Sequence, residues 1–266
     1  MPGSSRVAGA APPANLAHFA SVQSRRTILG AALGVTLGAV GVVAGRSPAV
    51  GLVRTRRLGY RHVATRRAAV ALTFDDGPDP QFTPTVLDLL AAHHAQATFF
   101  VVGTRVQEHP DLVRRAVAEG HEVANHTLAH ERLDRLDRAG VRAQLEGGAA
   151  ALTALDLGPT TRPRLVRPPF GFEGPASRAE LLAGGWEVAR WNGCLERHLL
   201  RDPVGEGSAR LAAGARPGDV LLAHDGGADR TTTVDALPDL LTALAQRGLA
   251  VTTIGALQAG GALQAG

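Results

Sequence analysis

The chain has a single cysteine, Cys194, and no lysine among 266 residues, and only 4% of it is aromatic. With one thiol no intrachain disulfide can form, and a zinc site built on cysteines is excluded. Any metal has to be held by His, Asp or Glu. Because 45% of the residues are hydrophobic while aromatics are scarce, a core can form but must be built mostly from Ala, Val and Leu. All 28 basic residues are arginine and the net charge is +4. The arginines are scattered rather than gathered on one segment, so nucleic acid is not an expected partner.

What is present divides the chain into regions. Residues 1–23 are rich in Ala, Pro, Ser and Gly without periodicity, as in a disordered leader. Arg25-Arg26 then precedes an uncharged run to Gly45, with small residues at Val42-Val43-Ala44. This describes an export signal of the twin-arginine type, or an uncleaved membrane anchor, since the run is about as long as a membrane span. Export, to an extracellular or cell-wall position, is the expectation, with the membrane engaged only through such an anchor. Residues 46–66 read as an Arg-rich linker.

From residue 67 strand-like runs alternate with helix-like ones. The runs are 68–74, 97–102, 121–125, 164–167, 186–191, 219–224 and 249–253. Thr83-Pro84, His109-Pro110 and Gly174-Pro175 mark helix starts. Seven βα-type repeats predict a barrel or a doubly wound sheet. At the end Gly255-Ala-Leu-Gln-Ala-Gly260 is repeated as residues 261–266, and residues 256–266 read as a flexible tail.

The chemistry-bearing residues stand at the ends of these runs. Ala69 to Phe74 is an apolar strand stopping at Asp75-Asp76-Gly77-Pro78, either turn chemistry or two carboxylates at the carboxyl end of a buried strand, where α/β folds place their sites. His126 and His130, four apart, would share one face of a helical turn, as surface residues or as two ligands of one cation. With Asp76 as a third ligand they would form a site of the catalytic zinc type, with a position left for water. Arg167-Pro168-Pro169-Phe170-Gly171 ends another run. Arg167 would need a carboxylate partner if buried, for which Asp75 is suited, and the stiff loop can hold the Phe170 N–H toward an oxyanion. Val220 to Ala223 ends in His224, a core histidine or a general acid.

Taken in order, Thr73-Phe-Asp-Asp-Gly-Pro78, His126-Thr-x-x-His130, Arg167-Pro-Pro-Phe-Gly171 and Leu222-x-His-Asp225 resemble the polysaccharide deacetylases, the NodB-homology domains of carbohydrate esterase family 4. Ala97 to Gly103 and Glu119 to His126 match as well, and the resemblance covers residues 67–255. It implies one catalytic domain, a distorted (β/α) barrel of about seven strands with one divalent ion, zinc in the first place and cobalt or another ion as alternatives. It further implies Asp75 as general base, Asp76, His126 and His130 as metal ligands, Arg167 orienting Asp75, and His224 as general acid. Phe170 would supply its backbone to the oxyanion, and Pro169, Leu222 and Trp191 would face the substrate.

One segment departs from the family pattern. Where Trp-x-x-Asp-x-x-Asp-Trp is usual, the chain reads Trp191-Asn-Gly-Cys-Leu-Glu-Arg-His198, so both aspartates, with the usual carboxylate partner of Arg167, and the second tryptophan are missing, and Glu196 could compensate for the charge. The expected function is metal-dependent hydrolysis of N-acetyl groups on an amino-sugar polymer or oligomer of the chitooligosaccharide or peptidoglycan type. The alternatives are O-deacetylation of acetylated xylan, and a glycan-binding module that has lost turnover.

Overall fold

The computed structural model describes residues 58–261. The leader, the twin-arginine segment and the second copy of the terminal hexapeptide from residue 262 on lie outside the described residues. No helix among the described residues is long and apolar enough to cross a membrane.

Eight parallel strands form one sheet: β1 (Ala69–Asp75), β2 (Thr98–Val101), β3 (Glu122–Asn125), β4 (Thr161–Val166), β5 (Glu187–Val188), β6 (Gly193–Cys194), β7 (Val220–His224) and β8 (Ala250–Thr252). Their order is β5-β4-β3-β2-β1-β7-β6, with β8 beside the start of β1. All seven expected runs overlap a strand, although β4 starts at Thr161, three residues before its expected run, and the run at 186–191 shrinks to two residues. Strand β6 was not expected, because a two-residue Gly-Cys pair has no periodicity to read. The nine helices of the described residues are α1 (Thr83–Ala92), α2 (Gly103–Glu108), α3 (Pro110–Ala118), α4 (Arg138–Thr153), α5 (Pro175–Ala183), α6 (Leu195–Leu199), α7 (Val204–Gly214), α8 (Thr231–Gln246) and α9 (Ile254–Gly261). Helices α3 and α5 begin at the expected prolines. Helix α1 begins at Thr83, with Pro84 in its first turn and no side-chain cap from Phe82 before it.

Period-two alternation explains how so small a residue alphabet fills both sides of the sheet. In β1 the even positions Val70, Leu72 and Phe74 join Val86, Leu87, Leu90, Phe99, Leu221 and Leu240 in the large cluster under the helices. The odd positions Ala69 and Ala71 join Phe100, Ala124, Leu165, Ala189 and Val220 in a second cluster. Four of those seven side chains are alanines, as the narrow concave side of a curled sheet requires. Continuing the same parity up β1 brings Thr73 and Asp75 onto the concave face.

Two regions read as peripheral are part of the domain. Within the expected linker, Tyr60 bridges to Ala189 and His62 to Asp219. Tyr60 N–H donates to Val188 O at 3.1 Å, and Val63 N–H to Gly218 O at 2.8 Å. Residues 58–63 thus run from the end of β5 to the start of β7. Within the expected tail, residues 256–261 belong to helix α9. Ile254 and Leu257 are fully buried in the concave cluster, and Gln258 donates to Tyr60 Oη (3.1 Å) and Glu187 Oε1 (2.6 Å) and accepts from Arg162 (3.0 Å). Arg162 in turn reaches Glu122 at 3.3 Å, whose other oxygen accepts from Thr98 at 2.9 Å. Leu257→Ala should therefore cost about 2–5 kcal/mol, the range for a buried leucine. A free tail would lose nothing, and urea unfolding of the purified protein distinguishes the two.

Candidate active site

Strand register assembles the site. Asp75 at the end of β1 lies opposite His224 at the end of β7 and Phe100 of β2. Two strands further along, β3 delivers Asn125 and then His126, and β4 delivers Arg167. Four residues other than glycine there have left-handed backbone, Asp76, Thr127, His130 and Phe170, out of six among the described residues. Such strain concentrates where surrounding contacts force a side chain into place.

Asp76, His126 and His130 converge: one ligand atom from each lies within 4.8 Å of the others. Asp76 Oδ1 is 3.3 Å from His126 Nε2 and 3.0 Å from His130 Nε2. The histidines do not share a helical turn, as their spacing predicts. Residues 126–130 form a loop tied to its surroundings by backbone bonds, His126 N–H to Val101 O (2.9 Å), Gly103 N–H to Thr127 O (2.9 Å) and Leu128 N–H to Gln144 O (2.9 Å). Asn125, fully buried, accepts from Thr127 N–H at 2.7 Å and donates to Leu145 O at 2.9 Å. This organising residue was missed because an asparagine at a strand end carries no distinctive signal in sequence.

The donor set suits a divalent cation. His126 Nδ1 lies 2.7 Å from Arg167 O; a carbonyl can only accept, so Nδ1 carries the proton and Nε2 turns its lone pair toward Asp76. That is the outer-sphere arrangement that fixes the tautomer of a metal-ligating histidine. Burial opposes ionisation of Asp76, but the imidazoles of His126 and His130, with His224 beyond them, outweigh it and hold the carboxyl well below its usual range.

Arg167 is fully buried (0% exposed). It donates through Nη1 to Asp75 Oδ1 at 2.7 Å and Thr73 Oγ1 at 2.8 Å, and through Nη2 to Arg190 O at 3.3 Å. Its guanidinium lies 4.1 Å from the Phe100 ring centroid. The pairing with Asp75 expected from sequence is thus present.

Glu196 does not stand beside Arg167. Helix α6 carries it to His224, where Glu196 Oε1 accepts from the His224 N–H at 2.9 Å and lies 3.1 Å from Nδ1. Burial would lower the His224 pKa, but Glu196, followed by Asp76 and Asp75, reverses this and pushes it up to about 9. Glu196 itself is held below the usual carboxylate range by His224, against the effect of burial. The next residue, Asp225, is pushed up to about 7 by burial, against a Thr83 hydrogen bond and with the Asp76 and Asp75 charges adding to the rise.

Around these groups, Phe170 is 46% exposed with its ring 4.7 Å from that of His130. Pro169 is buried. The N–H groups of Gly171 and Phe172 bond to the carbonyls of Pro168 and Pro169. Trp191 packs so closely on Gly171 that a Cβ there would lie 2.8 Å from the indole. Leu222, two residues before His224, shares its face of β7. An open groove of about 500 Å³ is lined by Asp79, Gln81, Phe82, Arg105 and residues 227–229, without the side chains of the triad.

Comparison with known proteins agrees with this geometry. Residues 62–189 match the family model of polysaccharide deacetylase. The chain is 38% identical over 206 residues to a chitooligosaccharide deacetylase of Bradyrhizobium sp. (strain ANU 289), covering 73% of this chain and 92% of that protein. It is 35% identical over 196 residues to a peptidoglycan-N-acetylglucosamine deacetylase of Bacillus cereus, covering 73% and 90%. The crystal structure of the Bc1960 peptidoglycan N-acetylglucosamine deacetylase, in complex with 4-naphthalen-1-yl-N-oxidanyl-benzamide, superposes with a TM-score of 0.67 at 29% identity over 74% of this chain and 90% of that one. The chain therefore belongs to the polysaccharide deacetylase family, and it is an enzyme of that family, a carbohydrate deacetylase.

Removing one member of a buried ion pair leaves the other charge uncompensated, which costs about 3–5 kcal/mol. Arg167→Met should lose stability on that scale in chemical denaturation, and Asp75→Asn combined with it should recover part of the loss.

Proposed function

We propose that the protein removes N-acetyl groups from an amino-sugar polymer or oligomer of the chitooligosaccharide or peptidoglycan type. The observation that carries this reading is the placement of Asp75 and His224 opposite each other in register, beside the Asp76–His126–His130 triad. A divalent ion held by that triad, zinc in the first place, would supply Lewis acidity for the acetamide carbonyl and for water. Asp75, held by Arg167, takes the proton of the attacking water as general base. The Phe170 N–H, presented by the proline-stiffened loop, donates to the developing oxyanion. His224 passes its proton to the departing nitrogen. Leu222, Pro169 and Trp191 line the acetyl and sugar side.

Hydrolysis of the amide is preferred over that of an ester because of the leaving group. An amine must be protonated as it departs, and a histidine raised to about 9 by Glu196 still carries its proton at neutral pH. Relatives named for chitooligosaccharide and for peptidoglycan support the same preference. Turnover is favoured over a pure binding role because Glu196, which lies between the two positions, 194 and 197, where the family usually has a carboxylate, reaches the proposed acid. A cell-wall substrate would require export, to which the twin-arginine segment is suited.

Acetate release from chitooligosaccharide or peptidoglycan should stop on chelation and return with zinc or cobalt. Asp75→Asn and His224→Ala should each lower kcat by about 10²-fold or more while metal content is kept. Retained turnover in both variants would refute the assigned roles.

A pH profile tests the Glu196–His224 pair. The acid works only when protonated, so kcat should be sustained below the His224 pKa and fall as pH rises through it. Glu196→Gln keeps an acceptor for the His224 N–H but removes the charge that raises the pKa. The upper limb should accordingly move down from near pH 9 toward the ordinary histidine value of about 6.5. An unmoved limb would remove Glu196 from the mechanism.

A further inference from the structure

The two oxygens of Asp76 have different partners. Oδ1 faces His126 and His130. Oδ2 accepts from Arg230 Nη2 at 3.1 Å, while Arg230 Nε donates to Gly226 O at 2.6 Å. The same loop closes on Asp76 from its other side. A Cβ at Gly227, whose φ is +78°, would lie 2.8 Å from Asp76 Oδ2, and one at Gly226 would lie 2.6 Å from the Asp76 carbonyl oxygen. Only a chain without side chains at both positions can approach so near. The loop after β7 thus grips the proposed ligand carboxylate, with Arg230 as its one charged contact. Arg230 was not among the residues singled out in sequence.

We propose that Arg230 is a positioning residue that withholds Asp76 Oδ2 from the cation, so that Asp76 binds through one oxygen and a coordination position stays free for the reaction. The inference rests on Asp76, His126 and His130 being the ligands. Carboxylates bind cations through one oxygen or both, and a guanidinium bonded to the outer oxygen biases that choice. The cost is affinity, because a fixed positive charge stands near a dication. Two effects of opposite sign can therefore be separated. An outer partner that merely orients a ligand is worth 10–100-fold in metal affinity, which its removal would lose. Removing a repelling cation and freeing a second oxygen acts in the other direction, by about tenfold for unit charges at this range in a solvated site.

The test compares the full chain with Arg230→Met and Arg230→Lys, all checked for folding by circular dichroism, and with His126→Ala as the variant lacking a ligand. Zinc affinity is read by competition with a chromophoric chelator, and coordination by the visible absorption of the cobalt-loaded protein. Arg230→Met is expected to bind zinc more tightly than the wild type. Its cobalt absorption should be weaker, as a higher coordination number dictates, and its kcat lower. Arg230→Lys, which keeps the charge and a donor, should lie near the wild type in all three. Looser zinc binding by Arg230→Met, or a cobalt spectrum like the wild type's, overturns the role of Arg230 while leaving the triad in place. If the wild type takes up no more metal than His126→Ala, the ligand assignment fails and the role of Arg230 fails with it.

Discussion

A guanidinium with no contact to solvent is the constraint around which the concave face is arranged. Arg167 cannot be hydrated, so every donor it points inward must find an acceptor within the barrel, and Asp75, Thr73 and two backbone carbonyls fill that need. Its own carbonyl accepts from His126 and sets which imidazole nitrogen is free. One residue at the end of β4 thereby holds both the proposed base and a proposed metal ligand. The alanine-rich interior below it leaves room for this polar cluster without a large aromatic core.

The site's second half is built in another way. His224 gains its partner from a short helix, and that partner comes from the segment where the chain departs most from its family. A glutamate is one methylene longer than an aspartate, and α6 turns it toward β7, so its charge reaches the His224 imidazole rather than Arg167. Asp225, buried beside Thr83 and raised toward neutrality, adds a protonatable group behind Asp75 and Asp76 without adding a full negative charge to an already acidic strand end.

Much of this was legible in the chain because strand-end motifs combine a local signal with a fixed direction. An apolar run closing on Asp-Asp or His-Asp fixes both the strand and the end at which its polar residues emerge, so the members of the site could be named without knowing their separations. Asn125 and Arg230 were not legible as site members, and Glu196 was legible as a compensating charge but not as the partner of His224, since each acts across long sequence separation through a geometry that only the fold supplies. The same holds for residues 58–63. Their pairing with β5 and β7 lacks any periodicity of its own, and an Arg-rich segment beside an export signal reads as linker. The His-x3-His spacing misled about conformation, because a loop with left-handed residues at 127 and 130 brings two side chains together as well as a helical turn does.

The closing helix has a consequence for how the gene can change. Among the described residues, the contacts that seat α9 come from Ile254 and from Leu257 and Gln258 of the first Gly-Ala-Leu-Gln-Ala-Gly copy, and the second copy repeats that hexapeptide letter for letter. Tandem repeats are gained and lost by slippage during replication. Deleting either copy here yields the same protein sequence, with Ile254, Leu257 and Gln258 still in place. Loss of one copy would therefore leave the closing helix with the residues that seat it.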